Sequence, residues 1–201
     1  MAGWTSDSLR NAIPKLAAKM ETSADELNTL DGQLGDGDLG VTMVRGLRGL
    51  MEIKEDLPDD LGLALLKCAQ AITKLSASSY GTLLATGLMA AAKDSRDRTE
   101  RPWRDVSPLL HLAEDAMLKR GKGHLGGKTV VDAVHAVAQN LKGIDDPQAA
   151  LSAAKQAMSD TLEDYRDKPN QLGRARIFGE KSVGLDDPGM IAFQRIIEAL
   201  G

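Results

Sequence analysis

Cysteine is almost absent: Cys68 alone stands in 201 residues, so no disulfide can close within the chain. A reducing compartment and a small core residue are the ordinary setting for such a thiol. Aromatic residues make up 3% of the chain, too few for a platform on which bases could stack. Cationic residues are not in excess either. With 25 Lys and Arg against 29 Asp and Glu, the net charge of -4 leaves nothing to displace counterions from a nucleic-acid backbone. Long apolar runs are missing as well. The longest, 83–92, is about half a bilayer span, and the first residues lack a basic stretch followed by an apolar one. No secretion, no membrane insertion and a cytoplasmic location are therefore expected.

What is present is close to average soluble composition, 42% hydrophobic and 27% charged, over a length that suits one domain spanning 1–201. Apolar residues recur at helical spacing nearly throughout, as in Leu61, Leu65, Cys68, Ile72 and Leu75, or Val130, Val131, Val134, Val137 and Leu141. The same period runs through 9–20, 27–34, 41–51, 83–92, 109–117, 150–162 and 190–200. About eight helices result. Boundaries are marked by a capping box at Ser23 and Glu26 and by Asp146-Pro147 and Asp187-Pro188. No stretch alternates with period two long enough for a sheet, so an all-α bundle is expected, each helix burying one stripe. The charged stretch 94–105 reads as a solvated loop.

The segment richest in chemistry is 30–40, LDGQLGDGDLG, which puts Asp31, Asp36 and Asp38 within eight positions. Two carboxylates ~5 Å apart repel by roughly 3 kcal/mol at an effective dielectric near 20, a cost that a divalent cation removes. An all-oxygen set suits Mg²⁺ or Ca²⁺, whereas zinc would ask for His or Cys. Gly35, Gly37 and Gly40 permit positive φ and free backbone N–H groups for an anion, and the following helix adds its positive end. A solvated Asx/Gly turn with nothing bound fits these residues equally well. An EF-hand does not, because Thr42 stands where the bidentate Glu is needed.

Two further segments remain open between a binding and a structural role. The glycine-rich 121–129, GKGHLGGKT, ends like a P-loop, but its register places Lys122 on the first required glycine and a helix precedes it. It is either a nucleotide-contacting loop, with His124 near a ligand, or a plain connection. Ser76, Ser78, Ser79, Tyr80, Gly81 and Thr82 gather hydroxyls at a helix start, either for phosphate oxygens or for N-capping. His111 and His135 lie within helical patterns and read as satisfied helix residues.

Taken in order, these motifs resemble the nucleotide-binding L subunit of dihydroxyacetone kinases, the DhaL or Dak2 type. The resemblance spans nearly the whole chain. It is carried by Leu30-Asp31, Gly35-Asp36-Gly37-Asp38-x-Gly40, Arg45-Gly46, Ser79-Tyr80-Gly81-Thr82-Leu83, Arg120-Gly121-Lys122 and Gly127-Lys128-Thr129. Gly173-Arg174-Ala175, Gly179-Glu180-Lys181-Ser182-x-Gly184 and Asp187-Pro188-Gly189 complete it.

The resemblance implies a barrel of about eight antiparallel helices with Mg-ADP or Mg-ATP bound across one end. By position, Asp31, Asp36 and Asp38 would hold two Mg²⁺ ions. Leu39, Gly40, Val41, Thr42, Ser79 and Tyr80 would line the phosphates, Gly121 and Val130 the nucleoside, and Arg174, Asp187, Pro188 and Gly189 the rest of the pocket. It further implies a kinase subunit that passes phosphate to a small ketose held covalently, through a histidine, on a separate K-type subunit. The donor would be exchangeable ATP or a resident ADP recharged by a phosphotransferase-system protein. A nucleotide-sensing adaptor that no longer transfers phosphate is the alternative.

Three departures bear on the choice: Leu39 stands where the family commonly has His, Gly127 where it has Asp, and 76–82 replaces a G-G-(A/S)-S-G-P stretch.

Overall fold

The structure, a computed structural model, describes residues 3–75 and 78–201. Its first helix, α1 (Ser6–Leu34), is long because Ile13, Met20, Leu27 and Leu34 recur every seven residues on one face, each at most 2% exposed. The capping box expected at Ser23 and Glu26 does not start a new helix there. No Gly or Pro interrupts 15–31, and Ser23 lies buried on the same face as Met20 and Leu27, so the helix continues through it.

The remaining helices are α2 (Leu39–Ile53), α3 (Leu61–Leu75), α4 (Ser79–Asp94), α5 (Val106–Gly121), α6 (Val130–Asn140), α7 (Pro147–Arg166) and α8 (Pro188–Glu198). Side chains at their starts take up otherwise unpaired N–H groups. Ser78 Oγ accepts from Gly81 at 3.0 Å, Asp146 Oδ1 from Ala149 at 2.7 Å and Asp187 Oδ1 from Met190 at 2.9 Å. Pro147 and Pro188 each occupy a first helical turn, where no N–H is required. Both proline-marked starts expected from the sequence are thus realised.

Each helix packs against the next, and α8 returns to α1, which closes an all-α ring of eight antiparallel helices among the described residues. Met20, Leu27, Met158 and Met190 sit in its centre with no exposed surface. Cys68 is part of this core, 5% exposed, and burial pushes its thiol up to about 11, which keeps it protonated and inert. No described helix is long and apolar enough to cross a membrane.

The stretch 94–105 is not simply solvated. Trp4–Thr5 (β1) pairs antiparallel with Glu100–Arg101 (β2), and Arg101 is 5% exposed. Its guanidinium donates to Asp105 at 3.0 Å, Asp94 at 2.8 Å and Ser95 at 3.1 Å, which supply the acceptors that a buried cation needs.

The alternation of direction has one consequence for function. Odd-numbered helices end, and even-numbered helices begin, at the same end of the ring. The connections 35–38, 122–129 and 167–187 and the start of α4 therefore meet there, although they are far apart in the chain.

Candidate functional site

At this end lies a cleft of about 810 Å³. Its wall from the α1–α2 connection is acidic. Asp31, in the last turn of α1, and Asp36 and Asp38, just beyond, bring carboxylate oxygens within 4.8 Å of one another. Local geometry enforces this convergence. Gly37 turns the chain with φ of +77°, the Asp38 N–H donates to Asp31 Oδ2 at 3.0 Å, and a side chain at Gly35 would collide with the Asp31 carboxylate. Gly35 itself is extended and Gly40 is helical, so of these three glycines only Gly37 uses a positive φ.

Charge in the cluster is unevenly balanced. The Arg174 guanidinium pairs with Asp36, which holds that carboxyl below its usual range, while Asp38 is raised by partial burial and by the neighbouring Asp36 and Asp31 charges. An oxygen-only set with like-charge repulsion partly unrelieved fits a hard divalent cation.

The opposite wall, from α5 and α6, is largely apolar: Met117, Leu118, Val130 and Val131, with Gly121 between them and the bend that follows. Tyr80, at the start of α4, spans to the start of α8, donating from its hydroxyl to the Gly189 carbonyl at 3.1 Å. A side chain at Gly189 would press on the Tyr80 ring at 3.0 Å, so the glycine permits this approach. Arg120, Arg174 and Arg176 add positive charge to the rim. A ligand that suits such a cleft carries anionic groups that share a metal with the carboxylates at one end and a less polar body at the other.

Of the residues singled out by sequence, Asp31, Asp36, Asp38, Leu39, Ser79, Tyr80, Gly121, Val130, Arg174, Asp187, Pro188 and Gly189 all line the cleft. Gly40, Val41 and Thr42 do not. The N–H groups of Gly40 and Val41 donate to Asn28 Oδ1 at 2.8 and 3.2 Å, and that of Thr42 to the Asp38 carbonyl at 2.9 Å. These amides, expected to face an anion, already have partners in the protein. Ser78 lines the cleft and also caps α4, while Ser76 of the same hydroxyl cluster lies outside the described residues.

Three roles were not legible beforehand. Lys128, in the P-loop-like segment, points into the protein and is fully buried. Its ammonium donates to the carbonyls of Arg166, Lys168 and Ser182 at 2.9, 2.7 and 3.0 Å, fastening 167–187 to the start of α6. Asn170 bridges the Lys128 carbonyl and Asp187 at 2.7 and 2.9 Å. Burial pushes the Asp187 carboxyl up to about 6, against the pull of the Met190 and Asn170 hydrogen bonds. Leu172 fills the space beside Gly127, where even a Cβ would stand 2.5 Å from its Cδ1, and so accounts for the glycine at that departure. Leu39, another of the three departures, lies in the hydrophobic core and lines the cleft, 6% exposed.

Residues 33–201 match the DAK2 domain. The L-erythrulose 1-kinase of Mycolicibacterium smegmatis is 32% identical over 200 residues, covering 96% of this chain and 35% of that protein. The ADP-binding subunit DhaL of the PEP-dependent dihydroxyacetone kinase of Escherichia coli is 26% identical over 195 residues, 94% of this chain and 93% of the relative. Among solved structures, the dihydroxyacetone kinase from C. freundii in complex with AMP-PNP and Mg²⁺ superposes on all of this chain with a TM-score of 0.74 at 20% identity, using 34% of that chain. This chain thus spans about a third of the two longer kinases and nearly all of the subunit. With its ring of helices and a family match covering most of its length, the chain belongs to the DAK2 domain family.

Proposed function

We propose that residues 1–201 act as one nucleotide-binding unit, the phosphotransfer subunit of a small-ketose kinase. The observation that carries this reading is the convergence of Asp31, Asp36 and Asp38 opposite an apolar wall in a single cleft. The names of the relatives support it: two are an L-erythrulose 1-kinase and an ADP-binding subunit of a dihydroxyacetone kinase.

In this reading Asp31, Asp36 and Asp38 hold two Mg²⁺ ions. Bound there, magnesium supplies charge neutralisation across the phosphates of ADP or ATP. Arg174, already beside Asp36, offers its guanidinium to a phosphate oxygen, a charge-assisted contact. Met117, Val130 and Val131 exclude water from the nucleoside, and the Tyr80 bridge to Gly189 fixes the separation of two walls. Such positioning is most of what phosphoryl transfer asks of the nucleotide side. The ketose, and the groups that take its hydroxyl proton, belong to a separate K-type subunit. A phosphotransferase-system protein is the second partner if ADP is recharged in place.

Reconstitution tests this. The chain mixed with a ketose-binding K-type subunit should phosphorylate dihydroxyacetone or erythrulose, neither protein should do so alone, and Asp38→Asn should abolish transfer. Turnover by this chain alone would contradict the split. Tight MgADP binding with no transfer to any small ketose would instead favour the adaptor reading, to which the burial of Leu39 in place of the family histidine lends its weight.

A further inference from the structure

Away from the cleft, α5 and α6 bring together His111, Glu114 and His135, whose ligating atoms lie within 4.8 Å of one another. His111 and Glu114 share one face of α5 at a spacing of three residues, and His135 approaches from α6. The His111 Nδ1 stands 3.0 Å from Glu114 Oε2, and the His135 Nδ1 stands 2.9 Å from Oε1. Each carboxylate oxygen is thus matched to a different imidazole, with the rings edge to face at 6.0 Å.

The charge arrangement is unusual. Glu114 is 6% exposed, and a buried carboxylate is costly unless paired. Among the described residues no Lys or Arg forms an ion pair with it; its only ion-pair partners are the two imidazoles. Beside it, Met117 and Val134 belong to an apolar cluster between the same helices. On the outer side the His111 and His135 side chains are 39% and 35% exposed, so solvent reaches the two rings.

We propose that His111, Glu114 and His135 form a binding site for one transition-metal ion of the zinc class. Two imidazole nitrogens and one carboxylate are a borderline donor set that favours Zn²⁺ or Co²⁺ over Mg²⁺ or Ca²⁺. For whichever Glu114 oxygen binds the ion, its separation from the imidazole beside it, 2.9 or 3.0 Å, approaches the edge of roughly 3.3 Å that a tetrahedron with ~2.0 Å bonds requires. A metal here replaces the shared protons and neutralises the buried carboxylate. The Glu and His three residues apart on one helix repeat the spacing by which helical bundles present metal ligands. A fourth position, facing solvent, takes water. The ion clamps α5 to α6 partway along helices whose near ends, at Gly121 and Val130, line the cleft.

The test is Co²⁺ titration of the full chain in excess Mg²⁺, which occupies the all-oxygen aspartate cluster. One equivalent should give the intense visible bands of four-coordinate Co²⁺ with nitrogen ligands, and Zn²⁺ should displace them stoichiometrically. His111→Ala and His135→Ala should each weaken Co²⁺ binding tenfold or more, and Asp36→Asn should leave the bands in place. Both histidines are partly exposed, so the variants should fold, with Zn²⁺ raising the melting temperature of the wild type and not theirs. Absence of the bands in the wild type overturns the proposal whether or not either variant folds. Their persistence in both histidine variants, or their loss in Asp36→Asn, overturns it too.

Discussion

Arg174 reaches over the mouth of the cleft and pairs with Asp36, joining the connection before α8 to the connection after α1. Both side chains are about half exposed, so the pair does little for stability; its interest is that it competes for a carboxylate assigned to metal. Arg174→Ala is expected to act in opposite directions on two ligands. Mg²⁺ alone should bind more tightly, because Asp36 loses its cationic neighbour. MgADP should bind roughly tenfold more weakly, about 1.4 kcal/mol, because a phosphate contact is gone. Calorimetric titration with each ligand checks both signs.

Asn28 and Gly40 hold the start of α2 against α1. Asn28→Ala removes an acceptor shared by the Gly40 and Val41 N–H groups and should cost about 1 kcal/mol, as loss of a helix cap does. Gly40→Ala drives a methyl group into the Ala24 carbonyl and should cost about 1 to 3 kcal/mol. Urea unfolding at one pH measures both, and a neutral Gly40→Ala would contradict the close helix approach.

Asp187 gives a pH dependence of definite sign. Its carboxyl is held at about 6 in the folded protein against 3.8 ordinarily, so the folded state binds the proton more tightly than the unfolded chain. This group's stabilising contribution is complete below its ordinary value and is lost as pH rises through about 6, on the order of 3 kcal/mol in all. In Asp187→Asn, stability should fall less between about pH 4 and 7 than in the wild type. Denaturation midpoints at several pH values read the difference; equal slopes would contradict the burial assigned to this carboxyl.

Leu39 separates the kinase and adaptor readings. Phosphates can be held by magnesium and by Arg174 without an imidazole, so Leu39→His should change MgADP affinity by roughly tenfold or less. A larger change would mean that the side chain contributes directly to nucleotide binding.

Most helices were legible because their apolar residues keep a helical period, and the aspartate cluster was legible because its members are nearly contiguous. Ser23 misled because its hydroxyl and Glu26 have the spacing of a cap, whereas burial on the α1 face decides the matter. Arg101 misled because a charged stretch ordinarily faces water, and only the fold shows Asp94, Ser95 and Asp105 closing around it. The structural roles of Lys128 and Asn170 have no local signature. Their partners lie 12 or more residues away, at Arg166, Ser182 and Asp187, and are brought near by the path of 167–187. The pairing of His111 and His135 with Glu114 is likewise invisible until α5 and α6 are set side by side.

The central claim is that the three aspartates hold nucleotide through magnesium, and a thermal melt with four ligand conditions tests it most directly. MgADP at ~100 times its dissociation constant should stabilise the protein by about 2.7 kcal/mol, while Mg²⁺ alone or ADP with chelator should do much less. Asp36→Asn should melt near the wild type without ligand, since that side chain is exposed, and should lose most of the MgADP shift. Retention of the full shift in Asp36→Asn, or an equal shift with ADP and chelator in the wild type, would contradict the claim.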